Sequence, residues 1–309
     1  MPTGRQIDLL GFGIAAVDDV VELSEFPRPD SKAPVLSIER CGGGQCTTAL
    51  VAAARLGMKP YYAGLLGRNE LSEFTREVLK REGVGFPEET TYEEAQPYYS
   101  IILMDRSTGE RTILYSGERV RGPGPQDIRE ELILAARMLF ADQLGPEGTR
   151  HACQLARKHR IPIVADLERV DCDALRDVLE LATDLIFPLR MGRELTGETD
   201  PAAALKQLAR PGRNCTALTD GQRGCWFIAG DGLGTVEHQP AFPVRAVDTT
   251  GCGDVFHGAY AAARLCGTAV AAAIRFAAAT AALKATRKGG QAGIPDRAAV
   301  ESFLAAQRS

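Results

Sequence analysis

The chain lacks the arrangements that would mark it as a zinc protein, a membrane protein or a nucleic-acid binder. Its eight cysteines, at 41, 46, 153, 172, 215, 225, 252 and 266, form no Cys-x-x-Cys pair. Its four histidines show no ligand spacing, so a zinc site is not expected. Scattered thiols in apolar or glycine-rich surroundings read as a reduced, cytoplasmic protein. No apolar run reaches the length of a bilayer span, and residues 1–10 do not read as a signal peptide. Charge of one sign is also missing. Lys and Arg number 36 against 40 Asp and Glu, a net charge of −4, which gives no reason to expect nucleic acid. Several catalytic signatures are absent as well: there is no Gly-x-x-x-x-Gly-Lys-Ser/Thr loop, no Gly-x-Ser-x-Gly elbow and no His-Glu-x-x-His.

What is present is strand–helix alternation. Strands are expected near 7–13, 61–65, 138–141, 161–166, 185–188 and 215–219, with helices near 47–56, 70–82, 147–159, 173–181 and 201–209. A hairpin is expected over 225–228 and 235–237, followed by helices at 254–265, 269–285 and 296–307. This pattern predicts an α/β fold with a mostly parallel sheet covered on both faces, in a single domain over 1–309. Two strand pairs, near 17–38 and 98–119, have no helix between their members and read as a small separate β-sheet.

Two glycine-rich turns open helices. The first is Cys41-Gly42-Gly43-Gly44-Gln45-Cys46-Thr47-Thr48. The second is Asp248-Thr249-Thr250-Gly251-Cys252-Gly253-Asp254. In the second, a carboxylate sits where helical N–H groups lack intrahelical partners, an arrangement suited to an anion beside a base. Cys252 reads as a small residue in this turn, and His257, three residues past Asp254, as a helix-surface histidine. Gly11-Phe12-Gly13-Ile14-Ala15-Ala16 fits a dinucleotide fingerprint, but the β-branched residues and prolines that follow argue against the helix it requires.

Together, Gly43-Gly44 entering a helix that ends Ala54-Arg55-Leu56-Gly57, and the 248–254 stretch, resemble the two signatures of the PfkB, or ribokinase-like, carbohydrate kinases. Gly13 to Asp18, the bend ending in Asp30, and Gly109-Glu110-Arg111-Thr112-Ile113 resemble ketohexokinase and fructokinase members most. The resemblance implies a three-layer αβα body with a β lid and an ATP-dependent transfer to a sugar hydroxyl. It implies Asp254 as base and Gly251, Cys252 and Gly253 as an anion hole. Sugar binding falls to Asp18, Asp30, Gly43, Gly44, Gln45, Thr48 and Arg111, and ATP binding to Thr219, Gly221, Gly224, Thr250 and Gly290. Mg²⁺ is expected with ATP, with Glu168 a candidate in the metal network, and a monovalent cation such as K⁺ near Asp248. A homodimer through the lid is also implied.

The chain departs from the family at Thr48, where Asn is frequent, and at Gln45. It also departs at Pro188-Leu189-Arg190-Met191, where an Asn-x-x-Glu motif is expected. A ketose such as fructose is the first expectation for the substrate. A ribokinase or nucleoside kinase, an acidic-sugar kinase for which Lys32, Arg111 or Arg119 would supply the charge, and a sugar-binding regulatory protein are the rivals.

Overall fold

Strand β1 (Ile7–Phe12) sends Leu9 into one hydrophobic core and its neighbour Leu10 into another, because successive side chains on a strand point to opposite faces. In the computed structural model, which describes residues 6–89, 92–108, 110–230 and 234–307, this alternation runs through the main sheet. Met138 and Phe140 face the first core and Leu139 and Ala141 the second; Ile186 faces the first and Leu185 and Phe187 the second. Strands buried on both faces need helices on both faces, and the chain supplies them.

The main sheet joins β1 to β4 (Pro60–Tyr62), β7 (Ala136–Ala141), β8 (Ile163–Ala165), β9 (Asp184–Pro188), β10 (Cys215–Thr219), β11 (Cys225–Ala229) and β12 (Val236–Gln239). Their order is β12-β11-β10-β9-β8-β7-β1-β4. The pairs from β10 across to β4 are parallel, while β11 and β12 run antiparallel at one edge. Helices α1 (Gln45–Arg55), α8 (Cys252–Leu265) and α9 (Val270–Ala285) cover the first face, with α2 (Glu70–Arg81) and α10 (Arg297–Ala306) beside them. Helices α3 (Glu130–Ala135), α4 (Pro146–Lys158), α5 (Asp173–Leu181), α6 (Leu189–Thr196) and α7 (Pro201–Leu208) cover the second. The three-layer reading therefore holds.

A smaller sheet of order β3-β2-β5-β6 comprises β2 (Ala16–Leu23), β3 (Val35–Gly43), β5 (Tyr98–Asp105) and β6 (Arg111–Ser116). The β2–β3 and β5–β6 pairs are antiparallel, and β2–β5 is parallel. This is the expected separate sheet. Gly109 of the β5–β6 loop lies outside the described residues. Residues 13–16 lead into β2 and not a helix, so the dinucleotide fingerprint is not realised.

Some expectations change. The strand expected over 61–65 ends at Tyr62, and α3 and α6 were not anticipated. Pro188 ends β9 and at once becomes the N-cap of α6, so strand and helix meet with no loop between them. Among the described residues no helix is long and apolar enough to cross a membrane.

Candidate active site

Ligands of open α/β sheets bind beyond the carboxyl ends of the strands, where the strand order reverses. That reversal lies at β1, which pairs β4 on one side and β7 on the other. Asp142 follows the end of β7 and is fully buried. Its carboxylate accepts from Ile14 N–H at 2.6 Å and Leu144 N–H at 2.8 Å. Burial pushes its pKa up to about 8 against those two hydrogen bonds. Asp166, just past β8, is also buried and raised, first by burial and then by the charge of Glu168.

The 248–254 turn meets this floor from above. Gly251 is the N-cap of α8 at φ +73°, a left-handed conformation that glycine adopts without a Cβ penalty. Asp254 stands in the first turn of α8, half-buried. Its pKa is raised to about 7, first by burial and then by the charges of Asp166 and Glu168, with His257 and Lys284 opposing. The Asp166 charge thus adds to burial in disfavouring the ionised form of Asp254. Cys252 N–H is engaged by Thr249 O at 3.2 Å, so the turn spends one of its three expected anion-hole donors on itself. A side chain added at Gly253 would meet open space, which leaves that backbone approachable.

His257 is not on the surface. It is 2 % exposed, with Nδ1 2.8 Å from Gly253 O, Nε2 2.9 Å from Ile186 O and Asp166 Oδ2 at 3.4 Å. Position i+3 from Asp254 faces the sheet because α8 packs its Ala-rich side inward, and this ring ties the first turn of α8 to β9.

The first glycine turn sits beside the second. Asp18 on β2 lies opposite Cys41 and Ser100. Its neighbour Asp19 points the other way, to Arg40 at 2.8 Å and Tyr99 Oη at 2.7 Å. Burial raises Asp18, with Ser100 opposing and Asp19 adding. A Cβ on Gly43 would stand 2.2 Å from Asp18 Oδ2, so Gly43 is what lets that carboxylate occupy its place. Gly44, at φ +96°, crosses the backbone of residues 14–16, where a Cβ would fall 2.5 Å from Ile14 O. Thr48 closes the link between the two turns: a Cβ on Gly251 would be 3.5 Å from both Thr48 Cγ2 and Gly290 O.

Thr48 is buried, and its hydroxyl accepts from Gln291 Nε2 at 3.2 Å; Gln45 is buried and accepts from Gln143 Nε2. The Gln45 Nε2 group, on the Asp166 side, makes no aligned hydrogen bond. Gln291, Gln143, Asp142, Asp166 and Lys284 were not singled out from sequence, which gave no signal for them outside the two turns.

Asp30 is exposed and adopts φ +56°. It lies on the exposed loop beyond the Leu23–Val35 end of the β2–β3 hairpin, while Asp18 is five residues back along β2, about 17 Å at strand rise. Arg111 on β6 reaches the site, with Nη1 3.8 Å from Asp248 Oδ1. Thr250 and Gly290 face each other across the turn. Thr219 ends β10 beside Pro188, and Gly221 and Gly224 carry positive φ in the β10–β11 connection. Glu168 is exposed at the rim, with its N–H on Gln143 Oε1 at 3.1 Å. No group of three potential metal ligands gathers among the described residues. Met191, where the family's acidic motif was expected, is a buried residue of α6.

Asp248, expected to attend a monovalent cation, is surrounded by protein donors. Its carboxylate accepts from Thr250 N–H at 2.8 Å and Gly289 N–H at 2.9 Å, and its backbone oxygen accepts from Lys284 Nζ at 2.9 Å.

This geometry can hold an anion at a helix start next to a half-buried carboxylate, with the second carboxylate of Asp18 packed against Gly43. A ribokinase from Bacillus subtilis is 27% identical over 302 residues, which cover 94% of this chain and 97% of that protein. The structure of Arabidopsis thaliana ribokinase complexed with ribose and ATP superposes with a TM-score of 0.78 at 22% identity, over 96% of this chain and 98% of that one. A Xylella fastidiosa fructokinase with bound ATP gives 0.81 at 20%, over 99% and 100%. Ribokinases recur among the similar proteins, and the ketohexokinase and fructokinase branch is not singled out. With the family model for pfkB family carbohydrate kinases matched over residues 7–297, the chain belongs to that family, whose members transfer a phosphoryl group to a hydroxyl of a carbohydrate.

Proposed function

We propose that this kinase transfers the γ-phosphoryl group of ATP to a hydroxyl of a small furanose-forming sugar, with a ribose-like pentose first and a fructose-like ketose second. The observation that carries this reading is the meeting of the two glycine turns at Thr48 and Gly251, with Asp254, raised toward neutral pH, in the first turn of α8 and Asp18 against Gly43. Asp254 takes the hydroxyl proton as the oxygen attacks. The backbone of Gly251 and Gly253, with the dipole of α8, receives the transferring group. Asp18 accepts from vicinal sugar hydroxyls. Thr250 and Gly290 line the ATP side, and Thr219, Gly221 and Gly224 extend it.

Mg²⁺ fits the residues present. The charges of Asp166 and Glu168 raise Asp254, and that of Glu168 raises Asp166, an excess of negative charge that a hard cation bound with ATP phosphates relieves. Glu168 at the rim is the residue that would hold it, and the ion would neutralise phosphate charge. The emphasis on pentoses follows the names of the relatives. Thr48, whose hydroxyl accepts from Gln291 and keeps its own proton to donate, joins Asp18, Gln45 and Arg111 in the sugar readout. Arg111 near the phosphate turn favours an acidic sugar as the next substrate class to assay. A second copy of the chain covers the lid, whose edge strands expose Val35, Leu36, Ile38, Ile113, Leu114 and Tyr115.

The test is ADP release with ribose, deoxyribose, nucleosides, fructose and acidic ketoses. One sugar class should raise it far above the ATP-only rate. If the protein binds a sugar and none raises ADP release, the kinase reading fails.

A further inference from the structure

Lys284 is a fully buried lysine in an Ala-rich helix, and its ammonium lies against the phosphate-binding turn. It is 0 % exposed, its Nζ donates to Asp248 O at 2.9 Å, and the Asp248 carboxylate is 4.0 Å away. A buried cation needs a reason, because burial penalises the charged form unless oxygen partners compensate. The partners are the oxygens where a monovalent cation was expected. All three Asp248 oxygens already face a protein donor: Lys284 Nζ, Thr250 N–H and Gly289 N–H. Arg111 Nη1 stands 3.8 Å from the carboxylate on the lid side. A free potassium ion against the same carbonyl would be a further positive charge beside the ammonium and the guanidinium.

We infer that the Lys284 ammonium takes the place of an activating monovalent cation at the Asp248 turn, so that this kinase works without potassium. The inference rests on the kinase reading of the site. An ammonium and a potassium ion do the same physical work here. Each fixes the Asp248 carbonyl and adds positive charge behind the Gly251–Gly253 turn, where negative charge develops as the phosphoryl group moves. Lys284 is tethered by α9 and needs no recruitment from solution. It acts through the turn and is a positioning residue.

The experiment compares wild type with Lys284→Ala and Lys284→Arg in tetramethylammonium, sodium, potassium and ammonium chloride at one ionic strength. ADP release and thermal midpoint are both read. Wild-type kcat should differ by less than about twofold among the salts, whereas loss of the buried charge should lower Lys284→Ala by about tenfold or more in tetramethylammonium. Potassium or ammonium should restore part of that rate and raise the variant's thermal midpoint above its value in tetramethylammonium. Lys284→Arg should keep more rate than Lys284→Ala and show less response to potassium. Activation of wild type by potassium of about tenfold would overturn the inference, whatever the variants do. Full activity of Lys284→Ala in tetramethylammonium, or an impaired variant that no cation changes in rate or midpoint, would also overturn it. If no sugar supports ADP release, the thermal midpoints still report on the cation site while the kinase reading falls.

Discussion

At the scale of single residues, the account depends on where charge is buried. Asp254 is raised to about 7, with burial the main cause and Asp166 the next. A base must be ionised, and the ionised fraction of Asp254 falls as pH drops through that value. We therefore predict that kcat/KM falls on the acid side of about pH 7, well above the ordinary aspartate range, and that the acid limb moves down when the Asp166 charge is removed in Asp166→Asn. A pH–rate profile of both proteins checks this, and an acid limb near pH 4 in wild type would contradict it. Gly43→Ala should thrust a methyl group into the Asp18 carboxylate. We expect a rise in the sugar KM of about tenfold or more with the ATP KM little changed, read from initial rates with each substrate varied in turn. The glycine turns were legible at this scale because backbone conformation writes itself as glycine. Asp166, Asp142, Gln143, Gln291 and Lys284 were not, since a strand-end acid or a lysine in an alanine-rich helix looks ordinary until the fold places it. His257 was misread for the same reason. Its spacing from Asp254 was visible, but the face of α8 it occupies is set by packing onto β9.

At the scale of elements, Arg55 shows that a signature residue need not touch substrate. It closes α1 against α2 through Glu82, with Nε–Oε2 at 2.8 Å and Nη2–Oε1 at 3.0 Å. Nη1 also donates to the carbonyls of Ala292 and Ile294 at 3.2 and 2.8 Å. Loss of this half-buried cluster in Arg55→Ala should cost about 1.5–3 kcal/mol of stability. Chemical denaturation checks the size of that loss, and kcat at low temperature should stay near wild type. Helix α5 was legible to its ends because its apolar spacing and flanking polar residues agree. Helix α6 was not, because Pro188 reads as the stop of β9 while it also serves as the N-cap of the next helix. Asp30 was tied to the site by resemblance alone, and the structure places it on the exposed loop that joins β2 to β3.

For the whole molecule, strand–helix alternation was enough to specify a parallel sheet with two cores, since each apolar strand face demands a covering helix. The partner of the lid was legible only as an absence of cover. Its exposed apolar edge strands predict a dimer, and charges placed there should oppose it. Sedimentation of wild type should give a dimer mass, and Ile38→Glu with Leu114→Glu should give a monomer. A wild-type monomer at assay concentration would refute the lid pairing. Substrate identity is least legible because the residues proposed to read it come from the lid and α1, which the sequence keeps far apart.

The central claim is that Asp254 is the base for phosphoryl transfer to a sugar. It is tested most directly by turnover of Asp254→Asn at saturating sugar and Mg-ATP, with sugar binding measured in parallel by calorimetry. The account predicts that binding persists while kcat falls by about 10²–10⁴. Turnover at the wild-type rate would contradict it.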